Sequence, residues 1–325
     1  MTFLLKKQKL NGFKTKKGSG DFMNLKAFEQ KLTDNNICFF ENESMKNHTT
    51  FKIGGNAEIF VTVKNTEEMT QVIKFAKEFS VPYFILGAGS NILVSDGGIK
   101  GAVIKMCSDE ITVSDCEINC SSSVKLSKVC NVALNNGLTG LEFAYGIPAS
   151  VGGAVYMNAG AYGGEMSQVV ASAECVGSDG NIKTVPVCDM KLGYRTSVFK
   201  NSSLVITKVT FKLKKGEKEE INSKMNDLLQ RRKQKQPLEY PSAGSTFKRP
   251  QGYFAGALIE KNNLKGLTLG GAKVSEKHAG FVINTGNATA NDVKNLIKKI
   301  QDTVYENDGV KLETEVIFVG EEKNI

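Results

Sequence analysis

The sequence predicts an α+β fold with a long first part and a shorter last part. Three observations favour it. Stretches of helical and of strand periodicity alternate along the 325 residues, a length typical of two or three domains. Pro237 and Pro241 follow a basic helix end and interrupt both periodicities, which places a domain boundary there. Two glycine-bearing loops, at 87–93 and 140–166, lie in the first part, and a smaller α/β pattern follows the boundary.

The first part is expected to begin with a βαβ unit. Asn65 and Glu68 stand where an N-cap and its partner three residues later belong, ahead of apolar residues at helical spacing. Gly137 is the expected left-handed stop of a later helix. In chain order we predict a short helix and loop over 25–47, a strand at 59–63, a helix ending near 80, strands at 81–86, 101–106 and 110–120, and a helix over 123–136.

The elements after the second glycine-bearing loop are predicted in the same way. Thr289 is the expected cap of a helix with a clean apolar stripe, and Glu315 stands at the entrance of the last strand. In chain order we predict strands at 169–176, 182–187 and 204–213, a helix over 219–234, a small-residue turn at 242–247, a segment at 255–260, a strand at 280–284, a helix from 289 and a strand at 312–320.

The charge distribution argues against nucleic-acid binding by the folded part. Of the net +8, residues 1–22 carry +5 through six lysines and one aspartate, so the other 303 residues share +3. We expect residues 1–22 to be a disordered basic tail. There is no apolar run of about 18 residues, so no membrane span, and Phe3–Leu5 is too short for a signal-peptide core. A cytoplasmic protein is expected.

The cysteines and histidines suggest no metal centre. The seven cysteines form no C-x-x-C pair, and only His48 and His278 supply imidazoles. An odd number of cysteines without an export signal is typical of reduced, mostly buried thiols in the cytosol.

The loop at 87–93 at first looks like a dinucleotide fingerprint. However, Ile92 occupies the third glycine position, and the glycines at 97, 98 and 101 interrupt any following helix. A phosphate-cradling turn of another fold therefore fits better. In the loop at 140–166, seven glycines would let the backbone approach a ligand closely and expose amide donors, although tight turns between short strands remain the alternative.

Arg195, Ser245 and Glu315 stand out by position. Each alone has an ordinary interpretation, as a surface ion pair, a turn donor and a solvated strand end. A serine hydrolase is thinly supported, because Ser245 lacks the G-x-S-x-G elbow and only His48 and His278 could act as its base.

A phosphoryl-transfer protein is also disfavoured, because the loop at 87–93 offers no lysine. What remains is a protein that holds a large, flat, phosphate-bearing ligand through backbone amides and contributes few acid–base side chains. A flavin suits that description, since the cofactor then supplies the redox chemistry.

Eight short motifs follow one another along the chain. They are Thr50-Phe51-Lys52-Ile53-Gly54-Gly55, Leu86-Gly87-Ala88-Gly89-Ser90-Asn91, Gly140-Leu141-Glu142, Gly146-Ile147-Pro148, Asn158-Ala159-Gly160-Ala161-Tyr162-Gly163, Gly193-Tyr194-Arg195, Ala243-Gly244-Ser245-Thr246-Phe247-Lys248 and Leu312-Glu313-Thr314-Glu315-Val316. Any one of them is unspecific, but all eight in this order are very specific. Through them the chain resembles the UDP-N-acetylenolpyruvoylglucosamine reductase family from about residue 45 to residue 320.

The resemblance implies a fold and a division of the chain. Two α+β subdomains of the vanillyl-alcohol-oxidase type, over 23–100 and 101–236, would bind FAD. A smaller C-terminal α/β domain over 237–325 would bind the substrate, and its last strand could return to the FAD-binding part. Some members carry an extra tyrosine-bearing loop before the catalytic serine. This chain looks like the subclass without it, because a strand and a helix fill that interval, and the basic tail has no counterpart in the family pattern.

The implied activity is NADPH-dependent reduction of UDP-N-acetylglucosamine enolpyruvate to UDP-N-acetylmuramate through FAD, in peptidoglycan precursor synthesis. NADPH would react first and leave before the UDP sugar enters. Arg195 and Glu315 would stabilise charge on the substrate carboxylate, and Ser245 would donate a proton. The alternatives are another FAD-dependent oxidoreductase of this fold acting on a small alcohol or hydroxy acid, and a protein whose basic tail binds nucleic acid or an acidic surface.

The resemblance also implies binding residues and leaves the oligomeric state open. The substrate-binding candidates are Tyr162, Lys235, Arg249 and His278. The FAD-binding candidates are Gly87, Ala88, Gly89, Ser90 and Asn91 for the pyrophosphate, and Ile147, Pro148, Ser150, Val151, Gly152, Gly153 and Ala154 for the ring system.

Overall fold

The computed structural model describes residues 23–321. The expected basic tail at 1–22 lies outside these residues. Within them the chain is mixed α and β throughout, which confirms the predicted fold class.

The first region contains a mixed four-stranded sheet in the order β1-β2-β5-β3, in which β2, β5 and β3 are parallel and β1 is antiparallel to β2. The predicted cap of its second helix is confirmed, because the Asn65 side chain accepts a hydrogen bond from the Glu68 amide at 2.8 Å. The elements are α1 Leu25–Asp34, β1 Cys38–Ser44, β2 Asn56–Val63, α2 Thr66–Glu78, β3 Tyr83–Leu86, β4 Ile92–Val94 and β5 Ile99–Met106.

Strand β1 corrects the expectation of a helix and loop over 25–47. The helix is present, but Cys38–Ser44 forms an edge strand. Most of its side chains are exposed and three of its seven residues are Glu41, Asn42 and Glu43, so the sequence shows no strand alternation. The strand forms because β2 offers a free edge, which local sequence cannot show.

The second region contains an antiparallel five-stranded sheet in the order β12-β11-β13-β7-β6. The strand predicted over 110–120 is two strands joined by a tight turn at Asp115, whose φ is 49°. The elements are β6 Ile111–Ser114, β7 Glu117–Ser121, α3 Leu126–Asn135, β8 Leu138–Thr139, α4 Val151–Tyr156, β9 Gly160–Ala161, β10 Gly164–Glu165, β11 Val170–Val176, β12 Ile182–Pro186, β13 Val205–Lys212, β14 Lys214–Lys215 and α5 Lys218–Lys235.

The last region packs two helices on a three-stranded sheet in the order β15-β16-β17. A capping box between Thr289 and Asp292 begins its long helix, as the sequence predicts for Thr289. The elements are α6 Ala255–Lys261, β15 Thr268–Leu269, β16 Ala272–Val274, β17 Val282–Asn284, α7 Ala290–Asp308 and β18 Ile317–Val319.

Strand β18 leaves the last region and pairs with β4 in parallel. It is shorter than the strand predicted over 312–320. The core of the last region also takes in Phe51, Ile53 and Leu93 from the first region. The two regions therefore share apolar packing, and the segment before β18, which carries Glu315, is fixed against both. The division at 237 remains a prediction.

No helix in residues 23–321 is long and apolar enough to cross a bilayer. In the same range, no group of three or more His, Cys, Asp or Glu side chains could hold a metal ion.

The cysteines are all free, but the expectation of mostly buried thiols holds only for Cys120, Cys130 and Cys175, because Cys38, Cys107 and Cys188 are exposed. Burial raises the pKa of Cys120 and Cys175 to about 12.

Candidate active site

Arg195 stands at the tip of a tight turn. Gly193 and Thr196 close this turn by exchanging two backbone hydrogen bonds, at 3.1 and 3.2 Å. Asn158, which is buried, donates its side-chain amide to the Gly193 carbonyl at 3.1 Å. Arg195 itself has a φ of 55°, a left-handed conformation that non-glycine residues adopt at some energetic cost. The turn therefore presents this guanidinium in a fixed direction.

The Arg195 side chain reaches Glu315, 120 positions later. Its Nε lies 2.5 Å from Glu315 Oε1, and the side chains are 22% and 13% exposed. An Arg–carboxylate pair this sheltered is held more firmly than a surface ion pair. The structure thus brings together two of the three residues predicted to be catalytic.

Burial raises the pKa of the Glu315 carboxyl, while the charges of Arg195, Lys200 and Lys248 oppose that rise. The proton is therefore held to higher pH than on a solvated glutamate. Because Arg195 donates to Oε1, a protonated Glu315 could keep this hydrogen bond and still offer a proton from Oε2.

Ser245 lies beside Glu315 through the backbone. The Glu315 amide donates to the Thr246 carbonyl at 2.9 Å, and the Thr246 amide donates to the Gly280 carbonyl at 2.8 Å. Gly244 has a φ of 76°, and a Cβ there would meet no atom within 4 Å, so the turn borders open space. Among residues 23–321 the Ser245 hydroxyl has no hydrogen-bond partner; His48 instead hydrogen-bonds to Glu43 and His278 to the Gly280 amide, so no serine–histidine pair is formed.

The loop at 87–91 supplies a row of free donors. Within residues 23–321, the backbone amides from Gly87 to Asn91 donate to no protein acceptor. At Gly89 the φ is 65° and a Cβ would lie 2.1 Å from the His48 carbonyl oxygen, so only glycine fits this bend. Successive unpaired amides in such a bend form a concavity that suits a phosphate or pyrophosphate.

The same loop is joined by hydrogen bonds to the segments of the candidate catalytic residues. Asn91 donates its side-chain amide to the Glu315 carbonyl at 3.2 Å. The Gly89 carbonyl accepts from the Thr50 amide at 3.1 Å, and the Thr50 hydroxyl donates to the Ser242 carbonyl at 2.7 Å. The loop, the serine turn and Glu315 are therefore linked to one another by hydrogen bonds, and we call the space that they border the candidate cleft.

The second glycine-bearing loop faces the first. A Cβ on Gly87 would lie 2.8 Å from Ser150 Oγ, so the loop at 87–91 meets the start of α4 closely. The amides at this start are occupied: Val151 and Gly152 donate to the carbonyls of Val124 and Ser122, each at 2.8 Å. Of the residues 147–154, Pro148 is exposed and Ile147, Gly152 and Gly153 are half-buried, so these four form the accessible wall, while Ser150, Val151 and Ala154 are buried behind it. A flat ring could lie along such a wall.

Arg249 and His278 are two substrate-binding candidates that lie next to the turns of Arg195 and Ser245 along the hydrogen-bond network. The Arg249 amide donates to the Tyr194 hydroxyl at 3.0 Å, which joins it to the turn of Arg195. His278 Nδ1 accepts from the Gly280 amide at 3.1 Å, so Nε2 carries the proton of a neutral ring. Burial lowers the pKa of His278, which favours that neutral form.

Tyr162 lies on a hairpin that the Arg195 guanidinium contacts, because Arg195 Nη2 donates to the Gly160 carbonyl at 3.4 Å, whereas Lys235 lies at the end of α5. Tyr162 is at the tip of the β9–β10 hairpin and 46% exposed. Lys235 is exposed at the end of α5. The C-terminal end of α5 contacts the last region through a hydrogen bond, which Lys277 Nζ donates to the Lys233 carbonyl at 2.8 Å. Both side chains can therefore contact a ligand that extends out of the cleft.

Three residues with contacts at the candidate site were not among the individual site residues predicted from the sequence. Lys200 donates to the Arg195 carbonyl, and Thr50 connects the loop at 87–91 to the serine segment. Arg232 packs against Gly146, and its buried Nε has no partner in the described part of the chain. Thr50 lies within a motif and could have been singled out, and Arg232 belongs to the basic helix end at 231–235, part of which the family resemblance implies as an anion clamp. Lys200 looks like an ordinary surface cation in the sequence.

Comparisons with known proteins identify the family. A family model described as UDP-N-acetylenolpyruvoylglucosamine reductase, C-terminal domain, matches residues 236–319, and one described as FAD binding domain matches residues 57–186. A protein of Clostridium tetani named UDP-N-acetylenolpyruvoylglucosamine reductase is 52% identical over 283 residues, 87% of this chain and 92% of its own length. The chain belongs to the UDP-N-acetylenolpyruvoylglucosamine reductase family.

Further relatives agree. A reductase of the same name from Clostridium botulinum is 49% identical over 298 residues, covering 91% of this chain and 97% of its own. The crystal structure of UDP-N-acetylenolpyruvylglucosamine reductase from Thermus caldophilus superposes with a TM-score of 0.74 at 35% identity, covering 87% of this chain and 98% of that chain. The resemblance recognised in the motifs is thereby confirmed. The protein is an FAD-containing oxidoreductase of this reductase family.

Proposed function

We propose that this protein reduces UDP-N-acetylglucosamine enolpyruvate to UDP-N-acetylmuramate with NADPH and FAD, for peptidoglycan precursor synthesis in the cytoplasm. Membership of the reductase family supports the substrate. The structural observation that carries the mechanism is the Arg195–Glu315 pair, 2.5 Å apart and joined to the Ser245 turn by the Glu315 amide.

The residues of the cleft fit FAD. The free amides at 87–91 suit its pyrophosphate, and the accessible wall within 147–154 suits its ring system. When bound, FAD supplies the hydride transfer from NADPH to the methylene carbon of the enolpyruvyl group.

Arg195 and Glu315 would act on the substrate carboxylate. Hydride addition to the methylene carbon leaves negative charge on the neighbouring carbon, delocalised into the carboxylate as an enolate. The guanidinium and the protonated Glu315 carboxyl donate to that carboxylate and stabilise the charge as it develops. Their sheltered position strengthens this effect, because water screens the interaction little.

Ser245 would supply the proton that completes the reaction. Its hydroxyl donates to the carbon that carries the negative charge, and a proton from solvent then restores the hydroxyl. The product gains one hydride and one proton across the former double bond. Serine is a weak acid, so this step depends on placement. A hydroxyl with no partner among residues 23–321 is free to point at the substrate.

The cationic residues around the cleft would hold the rest of the substrate. Lys235 and Arg249 can pair with the pyrophosphate, Tyr162 can donate to it, and His278 can offer its Nε2 proton. Arg232, which is half-buried beside Gly146, is a further contact for an anionic group of either ligand.

The proposal is tested by product analysis. Holoprotein is incubated with NADPH and UDP-N-acetylglucosamine enolpyruvate, and the expected product is UDP-N-acetylmuramate, detected by mass spectrometry. In parallel, the oxidised holoprotein is mixed with small alcohols and 2-hydroxy acids. Loss of flavin colour with one of these, and no product from the UDP sugar, would favour the other oxidoreductase of this fold.

A further inference from the structure

Lys200 contacts the backbone of the catalytic turn. It follows Phe199 in a single helical turn, Val198–Asn201, and its Nζ donates to the Arg195 carbonyl at 3.1 Å. Phe199 is buried and Ser197 donates to the Tyr156 carbonyl at 2.6 Å, so the lysine projects from a fixed segment. Its amine thus ties the turn of Arg195 to that segment.

This hydrogen bond acts on a strained residue. Arg195 has a φ of 55°, and its carbonyl takes no part in the two hydrogen bonds that Gly193 and Thr196 exchange. A positive-φ arginine keeps its conformation only when neighbouring groups fix it. Of the contacts that fix this turn, the Lys200 amine is the one side-chain bond to the Arg195 backbone within residues 23–321.

Lys200 also places a positive charge near Glu315. Within the described residues it forms no ion pair at 4 Å or less, and its field reaches the Glu315 carboxyl. The other charged groups facing Glu315 are Arg195, which pairs with it, and Lys248, whose own partner is Glu313 at 3.0 Å. Burial lowers the pKa of Lys200 itself.

We propose that Lys200 is a positioning residue for the reduction of the enolpyruvyl group. Its ammonium fixes the backbone of Arg195 so that the guanidinium meets Glu315. Its positive charge also lowers the pH at which the Glu315 carboxyl loses its proton. The inference rests on the proposed function, since it concerns the same Arg195–Glu315 pair.

The test compares Lys200→Met with wild type in the two half-reactions, by stopped-flow spectroscopy. In Lys200→Met we expect oxidation of the reduced holoprotein by UDP-N-acetylglucosamine enolpyruvate to slow about 10- to 100-fold, the usual effect of losing a hydrogen bond to a charged group. Flavin reduction by NADPH should stay within about 2-fold, because that step does not use the Arg195–Glu315 pair.

The pH profile separates this role from a structural one. Removing the charge raises the pKa of Glu315 further, so the fall in rate at high pH should move to higher pH in Lys200→Met. Lys200→Arg keeps the charge and a donor and should recover most of the rate. Lys248→Met removes a nearby charge without touching the Arg195 carbonyl, so it should move the pH profile with a smaller loss of rate.

Lys183, an exposed residue of β12, provides the control for charge loss alone, and Lys183→Met should match wild type. The proposal is overturned if Lys200→Met keeps the wild-type rate, or if its pH profile does not move. It is also overturned if Lys200→Arg is as slow as Lys200→Met. Failure of the wild-type holoprotein to react with the enolpyruvyl substrate would instead contradict the proposed function.

Discussion

The Ser245→Ala variant tests the proposed proton donor. The hydroxyl has no partner among residues 23–321, so its removal leaves no buried group unpaired, and the free energy of unfolding should change by less than about 0.5 kcal/mol. The chemical cost should be much larger. Loss of a general acid slows a reaction about 10²- to 10⁴-fold, which corresponds to about 3–5 kcal/mol of activation free energy.

The assay follows flavin absorbance in two separate experiments. Reduction of the oxidised variant by NADPH should proceed at the wild-type rate, because no proton is delivered to the UDP sugar in that step. Oxidation of the reduced variant by UDP-N-acetylglucosamine enolpyruvate should be slow. Ser242→Ala, three residues earlier in the same segment, is the control and should match wild type in both. Rapid oxidation of reduced Ser245→Ala would refute the assignment of the donor.

Three further predictions concern residues around the cleft. Gly89→Ala should destabilise the protein by at least ~2 kcal/mol and weaken FAD binding, seen by thermal unfolding and FAD titration, because a Cβ would lie 2.1 Å from the His48 carbonyl oxygen. Thr50→Val removes the hydroxyl that donates to Ser242, so it should cost about 1 kcal/mol and slow oxidation by the enolpyruvyl substrate, while Thr50→Ser restores both. In the proposed mechanism the protonated form of Glu315 is active, and burial raises the pKa of this carboxyl. The rate of that oxidation should therefore fall as pH rises through this pKa, and Glu315→Gln should show no such fall.

Local patterns predicted the long helices well, whereas the short helices α4 and α6 were not predicted. In α7 the residues of the apolar stripe, from Val293 to Val304, are buried, and Thr289 caps the helix as its sequence position indicates. Helix α2 begins after Asn65 for the same reason. These features depend on residues within one or two turns of each other, so the sequence contains what is needed to predict them.

Strands and their partners were predicted less well. The edge strand β1 has mostly exposed side chains, and its existence depends on the edge of β2. The last strand was placed near its true position, but its parallel pairing with β4, more than 220 positions earlier, follows from tertiary packing. Asp115 makes a turn without glycine, so the hairpin of β6 and β7 resembled one strand.

The candidate site shows the same contrast. The motifs identified Arg195, Ser245 and Glu315 through family resemblance, and the structure brings their segments together. Lys200 has no local feature that separates it from other lysines of the chain. Its contact with the Arg195 carbonyl depends on a turn that only the folded chain forms.

The central claim is that the amides at 87–91 bind the FAD pyrophosphate while Ser245 faces the ring across the same cleft. A crystal structure of the holoprotein tests it most directly. We expect pyrophosphate oxygens about 2.7–3.2 Å from amides of this loop, with the Ser245 hydroxyl directed at the space above the flavin N5. A flavin bound elsewhere, or a Ser245 hydroxyl turned away from that ring, would contradict it.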